Sequence, residues 1–222
     1  SVNAQEGVPS SVAISADGTK MYAAGGANST VFQYTLSTAF DISTASYASK
    51  SFSLTSQESN VGSITFKPDG TKMYIVGSGN DTVYQYTLST AWDISTASYA
   101  SKSLSVNAQS SNPRGISFKP DGTKMYIVGL ISDSVFQYTL STAWDMATAS
   151  YASKTISVSS QDTNPQGIAM KSDGTEMYIV GSTNDKIYQY TLSTVWDIST
   201  ASYDSVFLSV ASQDTLPTDL TI

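Results

Sequence analysis

The sequence repeats itself with a period of 52 residues, and nothing else about it restricts the fold as tightly. KPDGTKMYIVG stands at 67–77 and again at 119–129, with SADGTKMYAAG at 15–25 and KSDGTEMYIVG at 171–181. Gly18, Gly70, Gly122 and Gly174 keep the step, as do Gln5, Gln57, Gln109, Gln161 and Gln213. Pro9, Pro113, Pro165 and Pro217 keep it too, with Val61 in the remaining slot. The units run approximately over 11–62, 63–114, 115–166 and 167–218. Residues 1–14 align with 209–222, so the chain starts and stops at one phase of the repeat.

Each unit reads as four short strands. In the second, SITF at 63–66 runs into the KPDGT turn, followed by KMYIVG at 72–77 and TVYQYTL at 82–88. The longer connection STAWDISTAS leads to YASKSLSV at 99–106, and AWDIST has room for one short helical turn. Asp-Gly supplies tight reversal, and β-branched and aromatic residues fill the strands. No segment keeps a 3.6-residue period. Four antiparallel strands repeated radially make the blade of an all-β propeller. The chain thus predicts one domain of four blades, or else an arc of a larger or oligomeric propeller. A lone blade cannot cover both of its faces, so repeated packing explains repeated sequence.

The run PRGISFKPDGTKMYIVG, followed by DSVFQYTL, resembles the blade repeat of the YVTN or lactonase-like propeller superfamily. There a Pro-x-Gly precedes the inner strand, PDG closes the first hairpin, and a Tyr-Val pair marks the second strand. The TLSTAWDISTASY extension is similar to tandem repeats of marine phage and bacterial surface proteins. The resemblance spans the chain and implies the propeller fold. Lactonase-type members place a metal and polar ligands near the central channel, but no such ligand set matches this sequence residue by residue.

Composition narrows the function. The chain has no Cys and no His, which excludes thiol chemistry and the usual general base near neutral pH. Arg114 is the one Arg, and the Lys are scattered over a chain of net charge −7, so no clustered patch for nucleic acid exists. No apolar run is long enough to cross a bilayer, and the opening SVNAQ carries no basic, apolar leader. An acidic surface rich in Ser and Thr predicts a place outside the cytoplasm, on a cell or virion surface.

Eight acids recur once per blade: Asp17, Asp69, Asp121 and Asp173 in the turn, and Asp41, Asp93, Asp145 and Asp197 in the long connection. A catalytic carboxylate pair needs unlike environments, which equivalent copies do not offer, so these read as turn formers and caps. The recurrent Tyr and Trp read as core.

The copies differ on one face. Glu6, Glu58, Ser110, Asp162 and Asp214 follow the repeated Gln, and Ser10, Gly62, Arg114, Gln166 and Thr218 follow the Pro slot. The second-to-third loop reads GANS, SGND, LISD and STND. Variable loops on a fixed scaffold carry specificity. The candidate ligand site is therefore Arg114, Leu130 and Ile131, with Glu58, Asp162 and Gln166 around the same face. The main expectation is a non-catalytic module that binds a glycan or protein there and needs no cofactor. The alternative is a lactonase-like hydrolase, which requires a symmetry-breaking carboxylate cluster and a divalent metal. A third reading has the duplicated terminal segments 1–14 and 209–222 compete for one place and link copies through an exchanged strand.

Overall fold

The Asp-Gly reversal sets each blade's first hairpin. In the second copy, the N–H and hydroxyl of Thr71 donate to the Asp69 carboxylate at 3.0 and 2.7 Å, and Gly70 takes φ +71°. A Cβ there would stand 2.4 Å from the Trp92 ring, so the long connection lies directly on the turn. Glycine is required twice over, by conformation and by space.

A computed structural model describes residues 1–222 as four sheets of four strands. Blade 1 comprises β1 (Pro9–Ile14), β2 (Lys20–Gly25), β3 (Thr30–Leu36) and β4 (Ala45–Ser53). Blade 2 comprises β5 (Val61–Phe66), β6 (Lys72–Gly77), β7 (Thr82–Leu88) and β8 (Ala97–Ser105). Blade 3 comprises β9 (Pro113–Phe118), β10 (Lys124–Gly129), β11 (Ser134–Leu140) and β12 (Ala149–Ser157). Blade 4 comprises β13 (Pro165–Met170), β14 (Glu176–Gly181), β15 (Lys186–Leu192) and β16 (Ala201–Ser209). Every sheet is an antiparallel meander in chain order, and the blades form a four-bladed β-propeller with the first strands at the hub. The helical turn expected in AWDIST is the 3₁₀ turn Ile94–Thr96, capped by Asp93 accepting from the Ser95 N–H. No helix is long and apolar enough to cross a membrane.

The core lies between blades, in three clusters at junctions 1–2, 2–3 and 3–4. At the first, the Tyr22 hydroxyl donates to the Trp92 carbonyl at 2.7 Å, and the Ile94 N–H donates to Gln33 Oε1 at 3.1 Å. Tyr74 repeats the first contact with Trp144 and Tyr126 with Trp196. Lys50 pairs with Asp93, Lys102 with Asp145 and Lys154 with Asp197 across the same junctions. Ile94 and Ile198 are 0% exposed, and burying such a side chain contributes about 1.5–3 kcal/mol.

Blade 4 does not meet blade 1 in this way. Phe40, Ile42 and Leu208 at that rim are 63%, 68% and 63% exposed. Closure occurs at the hub instead, where the chain beyond β16 returns between β13 and β1. Asp219 accepts from the Ser11 hydroxyl at 2.6 Å and from the Val12 N–H at 3.2 Å. On its other side, a Cβ on Gly167 would stand 2.9 Å from the Asp219 Cα. Residues 9–14 form β1, residues 201–209 form β16, and the tail takes a separate fifth position at the hub.

Candidate functional site

Two cavities meet at the tail. The larger, of about 460 Å³, runs along the hub between the inner strands and is walled by Phe66, Phe118, Ile168 and Met170. The smaller, of about 300 Å³, lies between blade 1 and the tail, against Met21 and Pro217. Asp219 lines both. The equivalent positions in the repeat are Ser11, Ser63, Gly115 and Gly167, so the tail places a carboxyl where the blades have small side chains. Burial pushes that carboxyl up to about 7, although the Ser11 hydroxyl and the N–H groups of Val12 and Leu220 pull the other way. Desolvation disfavours the charged form more than three donors restore it. Asp219 is thus a carboxyl that is half ionised near neutral pH, held at both oxygens and facing a channel.

The repeated acids behave differently. Hydrogen bonds from the Thr175 hydroxyl and N–H hold Asp173 down at about 2, and those from the Ser15 hydroxyl and the Thr19 N–H do the same for Asp17. These are ionised turn acceptors with no proton to exchange near pH 7. Nowhere do three or more carboxylates gather as a cation centre needs. The residues present do not fit the divalent metal expected for a hydrolase.

The variable face takes shape as the sequence indicates, with blade-to-blade connections and second-to-third loops at one end. Glu58 is fully buried, with Oε1 accepting from the N–H groups of Asn60 and Gly79 at 2.8 and 2.9 Å. Asp162 is buried likewise and accepts from Asn164, Thr183 and Asn184. Both carboxylates clamp one loop to the other within their own blades. The Gln166 amide donates to Asn164 and Ser182. Arg114 is half-buried at the start of β9, and its Nε is enclosed without a partner. The register of Pro113 against Gly129 sets it beside the loop of Leu130 and Ile131, and Ile131 is exposed. Arg114, Leu130 and Ile131 thus share blade 3, whereas Glu58 lies in blade 2 and Asp162 and Gln166 in blade 4.

Sequence reasoning missed Asp219. Its signal was available in the column of Ser11, Ser63, Gly115 and Gly167, where an acid breaks a run of small residues.

The family model described as lactonase, 7-bladed β-propeller, matches residues 1–197. A putative 6-phosphogluconolactonase from Bacteroides uniformis superposes with a TM-score of 0.59 at 17% identity, over 86% of this chain and 55% of that one. A Lactobacillus plantarum protein does so with 0.61 at 16%, over 90% and 57%. A periplasmic gluconolactonase from Pseudomonas aeruginosa gives 0.59 at 14%, over 91% and 57%. This chain spans a little over half the length of these structures, and at such identities they establish the fold alone. No curated protein matches the sequence. The expectation of a non-catalytic binding module, and of a protein that is not an enzyme, is overturned by the family match. Equivalent copies keep the eight repeated acids in like environments, whereas Asp219 is the one acid in its repeat column and has no equivalent copy. The chain belongs to the lactonase family of β-propellers.

Proposed function

We propose that this chain hydrolyses a lactone in the hub channel, with Asp219 as the general base. The observation that carries the reading is the one carboxyl lining the channel, held at both oxygens by Ser11, Val12 and Leu220 and raised by burial to about 7. A base poised near the working pH combines a useful ionised fraction with a strong pull on a proton. In the first step the Asp219 carboxylate takes a proton from water while the water oxygen adds to the lactone carbonyl carbon. In the second, the tetrahedral intermediate expels the ring oxygen, which takes the proton back from Asp219. One water is consumed, one C–O bond breaks, and a hydroxy acid results. The Ser11 hydroxyl and the N–H groups of Val12 and Leu220 orient the two carboxyl oxygens.

The channel volume of about 460 Å³ suits a six-membered sugar lactone, and gluconolactonases among the structural neighbours support that substrate class. A periplasmic neighbour and the acidic composition support a place outside the cytoplasm. The test is hydrolysis of δ-gluconolactone by the wild type and by Asp219→Asn. Loss of a general base lowers kcat by about 10²–10⁴. Equal kcat in the variant removes Asp219 from the mechanism.

A further inference from the structure

Comparing the four copies of one loop clamp isolates a second site. In blade 2, Glu58 accepts from the N–H of Asn60, two residues on, and from the loop N–H groups of Gly79 and Asn80. In blade 4, Asp162 accepts from Asn164, Thr183 and Asn184 in the same pattern. In blade 1, Glu6 accepts from Val8 and Ala27. Blade 3 has Ser110 in this place, and its hydroxyl reaches the Asn112 N–H alone, at 3.3 Å. The equivalent loop N–H groups, those of Ile131 and Ser132, meet no protein acceptor. A Ser is too short to span the gap that Glu or Asp closes elsewhere.

The same blade carries the chain's one Arg. Arg114 Nε and Asn112 Oδ1 are both buried without a partner. Burial alone lowers the Arg114 pKa, with no carboxylate countering it. In blade 4 the equivalent Gln166 satisfies itself on Asn164 and Ser182, beside the loop that Asp162 holds. Arg114 starts from the same place in the strand and finds no such partner. Asp133 closes the loop with a negative charge, but Asp81 and Asp185 occupy that position beside Glu58 and Asp162. The loop therefore tolerates two acids at close quarters.

We infer that blade 3 binds a small carboxylate from outside, in the position that a side-chain carboxylate fills from within in the other three blades. The loop N–H groups of Ile131 and Ser132 donate to its oxygens, and the Arg114 guanidinium balances its charge. Leu130 and Ile131 belong to the same loop, with the Ile131 side chain exposed. The site is separate from the hub channel and does not depend on Asp219.

Acetate is the probe, titrated into the full chain with binding read from the backbone amide resonances of Ile131 and Ser132. Saturable shifts confined to blade 3 are expected, with affinity lowered about tenfold or more in Arg114→Ala, as for a lost charge-assisted hydrogen bond. Ser110→Glu supplies the carboxylate internally, so it is expected to raise the unfolding midpoint and abolish the shifts. The unfolding midpoint, read on the same sample, separates loss of the shifts by occupancy of the site from loss by misfolding. Unchanged acetate binding in Ser110→Glu overturns the inference, as does the absence of saturable shifts in the wild type up to about 0.1 M acetate.

Discussion

Three blade junctions and the rim between blades 4 and 1 present equivalent surfaces in two conditions, covered and uncovered. At the junctions, Tyr22, Tyr74 and Tyr126 each donate to the carbonyl of an aromatic residue in the next blade. Their counterpart Tyr178 donates instead to Glu176 in its own strand. Val206 stands where Lys50, Lys102 and Lys154 make their ion pairs. Yet β16 forms in the same register as β4, β8 and β12, and the 3₁₀ turn Ile42–Thr44 keeps its Asp41 cap although Ile42 is exposed. Local structure is therefore made within each blade, by turn chemistry and sheet pairing. Contact between blades adds stability to elements that are already shaped.

Matched substitutions test that division. The largest contrast is Ile198→Ala against Ile42→Ala in denaturant unfolding. The buried residue is expected to cost about 2–5 kcal/mol, and the exposed one no more than about 0.5 kcal/mol. Similar losses at both sites would mean that the rim is covered in solution. Next comes Tyr126→Phe, which removes one of the two donors to the Trp196 carbonyl, leaving the Lys124 ammonium at 2.9 Å, and is expected to cost about 1 kcal/mol. Tyr178→Phe should cost less, because its acceptor is partly exposed, and a loss as large as that at Tyr126 breaks the comparison. The smallest effect is Lys102→Ala. The pair with Asp145 is partly solvated, so its loss is expected to cost about 0.5 kcal/mol or less. The Lys102 ammonium lowers the Asp145 carboxyl. That contribution is present above the ordinary carboxylate range and fades as pH falls through the lowered value. A loss in Lys102→Ala that persists unchanged at strongly acidic pH would contradict the assignment.

The blades were legible because one packing problem is solved four times with the same residues. The repeated Gln illustrates this: Gln5, Gln57, Gln109 and Gln161 each accept from a strand Tyr, at Tyr34, Tyr86, Tyr138 and Tyr190. A fixed contact of that kind leaves a fixed letter. Glu58 and Asp162 were legible as variable acids on one face, but not as clamps. Which backbone N–H a carboxylate meets depends on how two loops approach, and a single sequence does not record that. Asp219 was hidden for a different reason. It stands at a repeat position that small residues hold in the four units, and its altered chemistry comes from burial at a hub that only the assembled ring creates.

That burial also sets a tension between fold and activity. A carboxyl raised in the folded state stabilises tail docking fully below its ordinary range, and this contribution is lost as pH rises through about 7. The ionised form needed as a base is thus the form the hub holds less well. The most direct test is the pH dependence of kcat for δ-gluconolactone, above the spontaneous rate, in wild type and Asp219→Asn from about pH 5 to 8. The account predicts a wild-type rate that climbs through about pH 7 and a variant that lacks the climb. A wild-type rate no greater than the spontaneous one, or the same climb in Asp219→Asn, would contradict it.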